Sequence, residues 1–361
     1  MNRYDTAKSG SIILGPLLHR GGEGEIYEVK GHPDIVAKIY HKDRMSTEII
    51  EKIKLMVQKV PENPTESSNH PSFTWPLDLV MDRGKIRGYI MRRISNMYPI
   101  YSLFGHKRRL SIMELSRFTY ASLVRVAYNL AMVVDSLHKS GYVIGDINES
   151  NVMVNSRGLI TIVDTDSFQV RDVRTGRFYA CPVGKLEYTH PEILSALQEK
   201  GITFSRLVRE PHHDVYALAV LTFQLLMEGN LPFAGVPPPG EEMDMTKRIL
   251  NRIFPFDKEN DSGWQAPPGA PPYHLIIPEE LQHFFRSAFT EKGPVIWKHP
   301  TASQLANILA RMQKNLYNGC NRNPNHYYIN KIYDCPWCKR KIYLGGQDPF
   351  PNYSTSRPSR R

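Results

Sequence analysis

Between Tyr142 and Val154 the chain reads YVIGDINESNVMV, with Asp146 and Asn151 five positions apart. Asp164 stands thirteen residues beyond Asn151, after the apolar stretch Ile160–Val163. Val152–Val154 and Ile160–Val163 read as short strands around the turn Ser156-Arg157-Gly158. An Asp–x4–Asn pair, a hairpin and a second Asp at its far end bring three oxygen-bearing side chains to one spot. One carboxylate can take a proton from a hydroxyl, while the amide and the other carboxylate can hold Mg2+ on a nucleotide. Asx-turns and ordinary loop acids account for each residue singly but not for their joint spacing.

Strands precede this segment and helices follow it. Ser11–Leu18 and Ile26–Val29 flank the cluster Gly21-Gly22-Glu23-Gly24, where backbone N–H groups can approach phosphate oxygens that a Cβ would block. An ordinary hairpin turn fits that cluster as well. Ile35–Tyr40 is a short apolar strand holding Lys38. If buried, this lysine requires an anionic partner, and a phosphate plus a carboxylate on the next helix would serve; the alternative is a lysine snorkelling from an edge strand. Ile49, Ile50, Ile53, Met56, Val57 and Val60 recur at helical spacing, which predicts a helix over Ser46–Val60, with Ser46 or Thr47 as its cap. Leu77–Met81 and Ile86–Met91 read as a hairpin about Asp82-Arg83-Gly84. Helices are expected over Leu115–His138, Pro191–Lys200, Val215–Glu228, Glu279–Ala288 and Ala302–Tyr317. Pro232–Pro272 reads as a long loop around one helix, Glu241–Arg252. Strands first and helices afterwards give an α+β chain with a sheet lobe and a helical lobe.

The 361 residues suit two domains or one large two-lobed unit, and 41% hydrophobic with 23% charged residues excludes wholesale disorder. The net charge is +10, of which the segment from Gly319 onward carries +6 through eight basic and two acidic residues. Such a basic tail suits nucleic acid, an anionic membrane or an acidic protein without choosing among them. The first residues lack the apolar core of a signal peptide, and the longest apolar run, Val215–Met227, is too short to span a bilayer. No transmembrane segment and a cytoplasmic location are therefore expected. Four cysteines make no disulfide scaffold. Cys320-x5-His326 followed by Cys335-x2-Cys338 suits a tetrahedral Cys3His Zn2+ site, structural because four protein ligands leave no open position. No thioredoxin-like pattern surrounds the Cys-x2-Cys pair to support a redox role. Lys339-Arg340-Lys341 with Tyr327, Tyr328, Trp337 and Tyr343 can stack nucleic-acid bases or cover the helical lobe. Docking is favoured over nucleic acid, because so small a module has little core of its own.

Over residues 10–315 the sequence resembles a protein kinase. The spacing of Asp146, Asn151 and Asp164 is similar to the kinase catalytic-loop and metal-binding signatures. Gly184–Ile193 resembles the end of an activation segment. Asp214–Val220 resembles the start of the central buried helix, whose aspartate braces the catalytic loop. Leu231-Pro232-Phe233 and His299-Pro300-Thr301-Ala302 match two later landmarks. The resemblance implies ATP and Mg2+ as cofactors, and it implies roles by position. Gly21, Gly22 and Gly24, with Ile26 beside them, would cover the phosphates. Lys38 would pair with the α- and β-phosphates, and Glu51, or failing it Glu48, would pair with Lys38. Val36 would touch adenine, Met91 would stand behind it, and Arg92–Ile94 would form the hinge, with Arg92 and Ile94 at the nucleotide. Asp146 would be the base, and Asn151 and Asp164 the Mg2+ ligands.

Several positions depart from the family. Ile144-Gly145 replaces the His-Arg before the base, which removes the cation that gathers an activation-segment phosphate. Asp164-Thr165-Asp166 replaces Asp-Phe-Gly, Asn148 replaces a lysine, His19 replaces the first loop glycine, and His299 stands where an arginine would pair with Glu192. Ser167, Thr175 and Thr189 are candidates for self-phosphorylation, and Thr189 can instead brace Asp146. The strings around Asp146, Asp164 and Cys181 resemble the YegI-like bacterial Ser/Thr kinases with zinc-finger-like or helix-hairpin-helix tails. That resemblance implies a protein substrate and a bacterial or phage signalling system with a metal-dependent protein phosphatase and a von Willebrand A-domain protein. The expectation is a bilobal protein-kinase-like fold with a small C-terminal zinc knuckle. Residues 1–94 would form the N-lobe, 95–317 the helical C-lobe, 318–345 the knuckle and 346–361 a disordered basic tail. The function expected is transfer of the γ-phosphate of ATP to Ser/Thr hydroxyls; the alternative is a nucleotide-binding pseudokinase scaffold whose knuckle recruits partners.

Overall fold

The computed structural model describes residues 3–290, 299–329 and 334–353. Six antiparallel strands close into a barrel: β1 (Arg3–Thr6), β2 (Ser11–Arg20), β3 (Gly24–Val29), β4 (His32–Tyr40), β5 (Asp78–Asp82) and β6 (Lys85–Arg92). The order is β1-β2-β3-β4-β6-β5, and β1, which the sequence did not lead us to expect, pairs with both β2 and β5 to close the ring. The β5–β6 hairpin turns at Arg83 (φ 50°) and Gly84 (φ 75°), the two positive values that a type I′ turn needs.

Strand alternation sorts β4 into two faces. Ala37 lies with Ile12, Leu14, Val29, Val80 and Ile90 in one cluster. Val36 and Tyr40 lie in another, with Tyr89, Met91 and the helix α1 (Thr47–Gln58) through Ile53 and Val57. Lys38, between Val36 and Tyr40 in the alternation, shares their face. Ser46 caps α1 by accepting from the Ile49 amide at 3.2 Å.

Beyond β6 come β7 (Tyr98–Pro99), α2 (His106–Ser111) and α3 (Tyr120–Lys139), the last started by a capping box between Thr119 and Ser122. The expected start at Leu115 is therefore five residues early. The chain continues through β8 (Val152–Val154) and β9 (Ile160–Ile162), which form a small sheet with β7, and then the two-residue strands β10 (Val170–Arg171) and β11 (Phe178–Tyr179). The helices α4 (Pro191–Lys200), α5 (Pro211–Leu226), α6 (Met245–Leu250), α7 (Tyr273–Ile276), α8 (Glu279–Thr290) and α9 (Ala302–Asn315) follow. Every residue of α5 from His213 to Leu226 is buried, the pattern of a helix at the centre of a helical body. No described helix is long and apolar enough to cross a membrane.

The chain then passes through β12 (Leu316–Tyr317), β13 (Tyr328–Ile329) and α10 (Pro336–Tyr343). Where a disordered tail was expected from Gly346, Pro349 and Phe350 are buried, and 354–361 lie outside the described residues. Phe350 is only 3% exposed, with its ring 4.8 Å from that of Trp337 and 6.2 Å from that of Tyr120. The Arg109 guanidinium lies 4.7 Å from the same ring and donates to the Pro349 carbonyl. One aromatic anchor in a polar segment supplies the burial that composition alone does not reveal.

Candidate active site

The loop after α3 is held from below by α5. The Asp214 carboxylate accepts from the Ile144 amide (2.7 Å), the Gly145 amide (2.8 Å) and His138 Nε2 (3.0 Å). Asp146 follows directly, half-buried, and its Oδ2 accepts from Asn151 Nδ2 at 2.9 Å. Asn151 also fixes the hairpin, since its carbonyl accepts from the Val163 amide at 2.9 Å. Asp164 comes next, in the left-handed region at φ 59°, a conformation that a short polar side chain tolerates. The structure joins Asp146 to Asn151 through their side chains and Asn151 to the residue before Asp164 through the main chain. Asn151 Nδ2 is committed to Asp146, so its Oδ1 is not used by that contact.

Lys38 reaches this group from β4. Its Nζ lies 2.6 Å from Asp166 Oδ2, 3.3 Å from Asp164 Oδ1 and 3.5 Å from Glu23 Oε2. Asp166 is buried and also accepts from Tyr40 and, at 3.0 Å, from Tyr89. Burial alone would pull the Lys38 ammonium down, but the charges of Asp166 and Asp164 overcome it and hold the lysine above its ordinary value. The Asp166 carboxyl is held low against its burial by Lys38 and by hydrogen bonds from Lys38, Tyr40 and Tyr89. Asp164, pushed up by burial and by the Asp166 charge, titrates at about 6.

Glu51 is not the partner of Lys38. It receives Arg177 Nη1 at 2.8 Å and the Tyr179 hydroxyl at 3.1 Å, both from the β10–β11 hairpin. The buried position of that turn of α1 is taken instead by Lys52, which forms no hydrogen bond or ion pair among the described residues and whose pKa burial lowers. Asp166 was in view in the sequence as the second acid of Asp-Thr-Asp, but only the fold shows that it faces β4.

The remaining nucleotide candidates lie on one sheet. Val36 sits opposite Met91 and Ile26 opposite Lys38, and both Val36 and Met91 are buried. Ile94 follows β6. The Arg92 side chain turns to Glu66 (3.3 Å) and Asn69 (2.7 Å). Gly21 and Gly22 stand open, whereas a Cβ on Gly24 would come within 2.4 Å of the Ile39 carbonyl, so close strand pairing requires that glycine.

Arg209 reaches the loop before Asp146 from the segment that precedes α5. Gly145, at φ 79°, leaves room that a Cβ would close, 2.5 Å from Arg209 Nη1. The buried guanidinium donates to the Gly145 carbonyl (2.6 Å) and the Val183 carbonyl (2.8 Å), joining the catalytic loop to the segment before α4. Nothing in the local sequence of Arg209 signals this. Thr189 does not brace Asp146: its hydroxyl donates to the Lys185 carbonyl at 2.9 Å.

Glu192 is held by His212 Nε2 (3.2 Å) and His213 Nε2 (3.1 Å), not by His299, whose ring instead lies 4.9 Å from that of His212. The neighbouring His190, pushed down to about 3 by burial and then by His213 and Arg252, stays neutral in the fold. Its unfolded value is near 6.5, so the stabilisation is complete above that pH and is lost as pH falls from 6.5 toward 3. At pH 5 the loss is on the order of 2 kcal/mol. A melting series from pH 7.5 to 5 should therefore fall more steeply for the wild type than for His190→Gln; equal slopes would contradict the buried neutral histidine.

The fourth cluster joins Cys320, His326, Cys335 and Cys338. The sulfurs of Cys335, Cys320 and Cys338 lie 3.3, 3.6 and 3.6 Å from His326 Nδ1, and Cys320 Sγ lies 3.5 Å from Cys338 Sγ. Tetrahedral Zn2+ bonds imply ligand–ligand edges of about 3.5–3.8 Å, so the four atoms fit a structural Zn2+. His326 Nε2 donates to Asp348 Oδ1 at 2.9 Å, the carboxylate contact that orients a zinc-ligating imidazole. Asp348 was passed over in the sequence as part of the tail. Trp337 lies 4.7 Å from the Tyr120 ring, and Arg340 pairs with Glu228, so this segment docks on the helical body. Tyr328 is buried as well, while Tyr343 stays exposed.

No family model matches the chain. It is similar to the protein kinase YegI of Escherichia coli O157:H7, 28% identical over 340 residues that cover 92% of this chain and 49% of that protein. The chain thus spans about half the length of that curated relative. It is also similar to the serine/threonine-protein kinase PSK1 of Saccharomyces cerevisiae, 28% identical over 148 residues, 36% of this chain and 10% of that one. Among solved structures the ROP18 kinase domain, determined in complex with AMP-PNP and sucrose, superposes with a TM-score of 0.53 at 14% identity. That match covers 86% of this chain and 83% of the other, and it shows a protein-kinase-like fold. Together these likenesses bear out the resemblance to the YegI-like protein kinases.

Proposed function

We propose that this YegI-like chain is an ATP- and Mg2+-dependent protein kinase that transfers the γ-phosphate to serine or threonine hydroxyls. The observations that support the reading are the Lys38–Asp164 ion pair and the Asp146 carboxylate oriented by Asn151. In this reading the arrangement is bilobal: residues 1–94 form the N-lobe, 95–317 the helical C-lobe, and the nucleotide lies between them. Lys38 binds the α- and β-phosphates, Val36 and Met91 receive the adenine, and Gly21, Gly22 and Gly24 cover the phosphates. Asn151 Oδ1 and the Asp164 carboxylate hold Mg2+, which supplies charge neutralisation on the phosphate oxygens. Asp146 accepts the proton of the acceptor hydroxyl as the new O–P bond forms and the bond to the ADP oxygen breaks.

Arg209 joins the Gly145 and Val183 carbonyls directly, which supports a loop before Asp146 that is braced by main-chain contacts. The zinc-binding segment at 318–345 acts as a structural appendage. The resemblance to YegI-like kinases supports a protein substrate, a cognate metal-dependent phosphatase and a von Willebrand A-domain partner. The test is phosphoamino-acid analysis of a basic protein acceptor after incubation with γ-labelled ATP and Mg2+. Label on serine or threonine is expected. Label on tyrosine alone would refute the assigned acceptor class, and Mg2+-dependent nucleotide binding without label would leave the pseudokinase scaffold.

A further inference from the structure

We infer that Asp166, not an acid of α1, is the residue that positions Lys38 for the nucleotide phosphates, so that the lysine is set independently of where α1 lies. This rests on the phosphotransfer reading above for its purpose, though not for its geometry.

A lysine that binds phosphate in a buried cleft needs a carboxylate to fix its direction and to keep it charged before the ligand arrives. In this chain neither acid of α1 pairs with Lys38, and Glu48, the other candidate, is exposed. Glu51 is committed to Arg177 and Tyr179, and the buried place beside it holds another cation, Lys52. Asp166 meets the requirement from the other side of the cleft. It lies at 2.6 Å from Lys38 Nζ, and its oxygens are held by two phenols of the barrel, Tyr40 on β4 and Tyr89 on β6. Those phenols leave the carboxylate little freedom to rotate, and they satisfy the lone pairs that Lys38 does not use. Asp166 itself sits in the turn after Asp164, which two hydroxyls pin: Thr165 Oγ1 donates to the Thr74 carbonyl (2.8 Å) and Ser167 Oγ to the Asp164 carbonyl (2.8 Å). The replacement of the usual Phe-Gly by Thr165-Asp166 is thus a relocation of the lysine's partner, from the helix to the metal-binding turn. Asp164 and Asp166 share Lys38, so the metal-binding turn and the lysine are joined directly.

The test compares Glu51→Ala, Asp166→Asn and Asp166→Glu in the full chain. MgATP affinity is measured by calorimetry, and Lys38 reactivity by its acylation rate at pH 8 followed by peptide mass analysis. Glu51→Ala is expected to leave both within about twofold of wild type, because an exposed ion pair on the hairpin contributes little. Asp166→Asn is expected to accelerate acylation by about tenfold or more, because Nζ loses the carboxylate that, at 2.6 Å, holds it away from the reagent. Asp166→Glu should restore most of the wild-type value, which mere loosening of the fold would not allow. The inference is overturned if Glu51→Ala weakens MgATP binding as strongly as Lys38→Ala does. It is also overturned if Asp166→Asn, melting like wild type, leaves the acylation rate unchanged. Should Asp166→Asn fail to fold, the Glu51→Ala affinity alone decides. Lys38 reactivity does not depend on phosphate transfer, so an inactive wild type whose Lys38 still responds only to Asp166 would sink the kinase reading and keep this one.

Discussion

Asp146→Asn should lower the rate of γ-phosphate transfer by about 10²–10⁴-fold, the range that a positioned general base supplies. The substitution is nearly isosteric. Its amide oxygen can still accept from Asn151 Nδ2, which now lies 2.9 Å from Asp146 Oδ2. The main-chain bonds that Asp214 makes to Ile144 and Gly145 do not involve the Asp146 side chain at all. Melting temperature and MgATP affinity should therefore stay near the wild-type values, and the loss should appear in kcat rather than in KM. Transfer that persists unchanged in a well-folded Asp146→Asn would remove Asp146 from the role of base.

Removal of zinc should have the second large effect, on stability. The segment that holds Cys320, His326, Cys335 and Cys338 is anchored chiefly by Trp337, packed against Tyr120 and Phe350, with Tyr328 also buried. Four ligands on a short segment are held together by the ion they share, and structural zinc binding contributes folding energy directly. A strong chelator, or Cys335→Ser, should lower the melting temperature and expose Trp337, seen as a red shift in emission that Trp337→Phe reduces. Trp337→Ala by itself should destabilise by about 3–5 kcal/mol, the usual cost of emptying a large aromatic site. A chain that carries no zinc as purified and melts identically with and without it would contradict the assignment.

What could be read from the sequence were features fixed by local spacing. The Asp146–Asn151 contact, the β5–β6 turn, the capped start of α1 and the four clustered residues Cys320, His326, Cys335 and Cys338 each depend on residues close along the chain, where periodicity and turn chemistry speak directly. What stayed hidden were pairings across the fold. Glu51 and Asp166 are both acids within reach of Lys38 in principle, and only the rotation of α1, with Lys52 inward and Glu51 toward Arg177, decides between them. Arg209 lies 64 residues from Gly145, whose carbonyl it holds, so no local pattern could join them. β1 has four residues and closes a barrel only because β5 is there to pair with it. Phe350 was hidden by its polar neighbours.

The measurement that bears most directly on the central claim is γ-phosphate transfer by the purified chain, with Mg2+, beside Lys38→Ala. The account predicts label on the acceptor with wild type and none with Lys38→Ala. It also predicts that MgATP affinity falls in the variant, since the cation that meets the phosphates is gone. Equal labelling by both proteins would contradict the account, because a site built around Lys38 could not transfer phosphate without it.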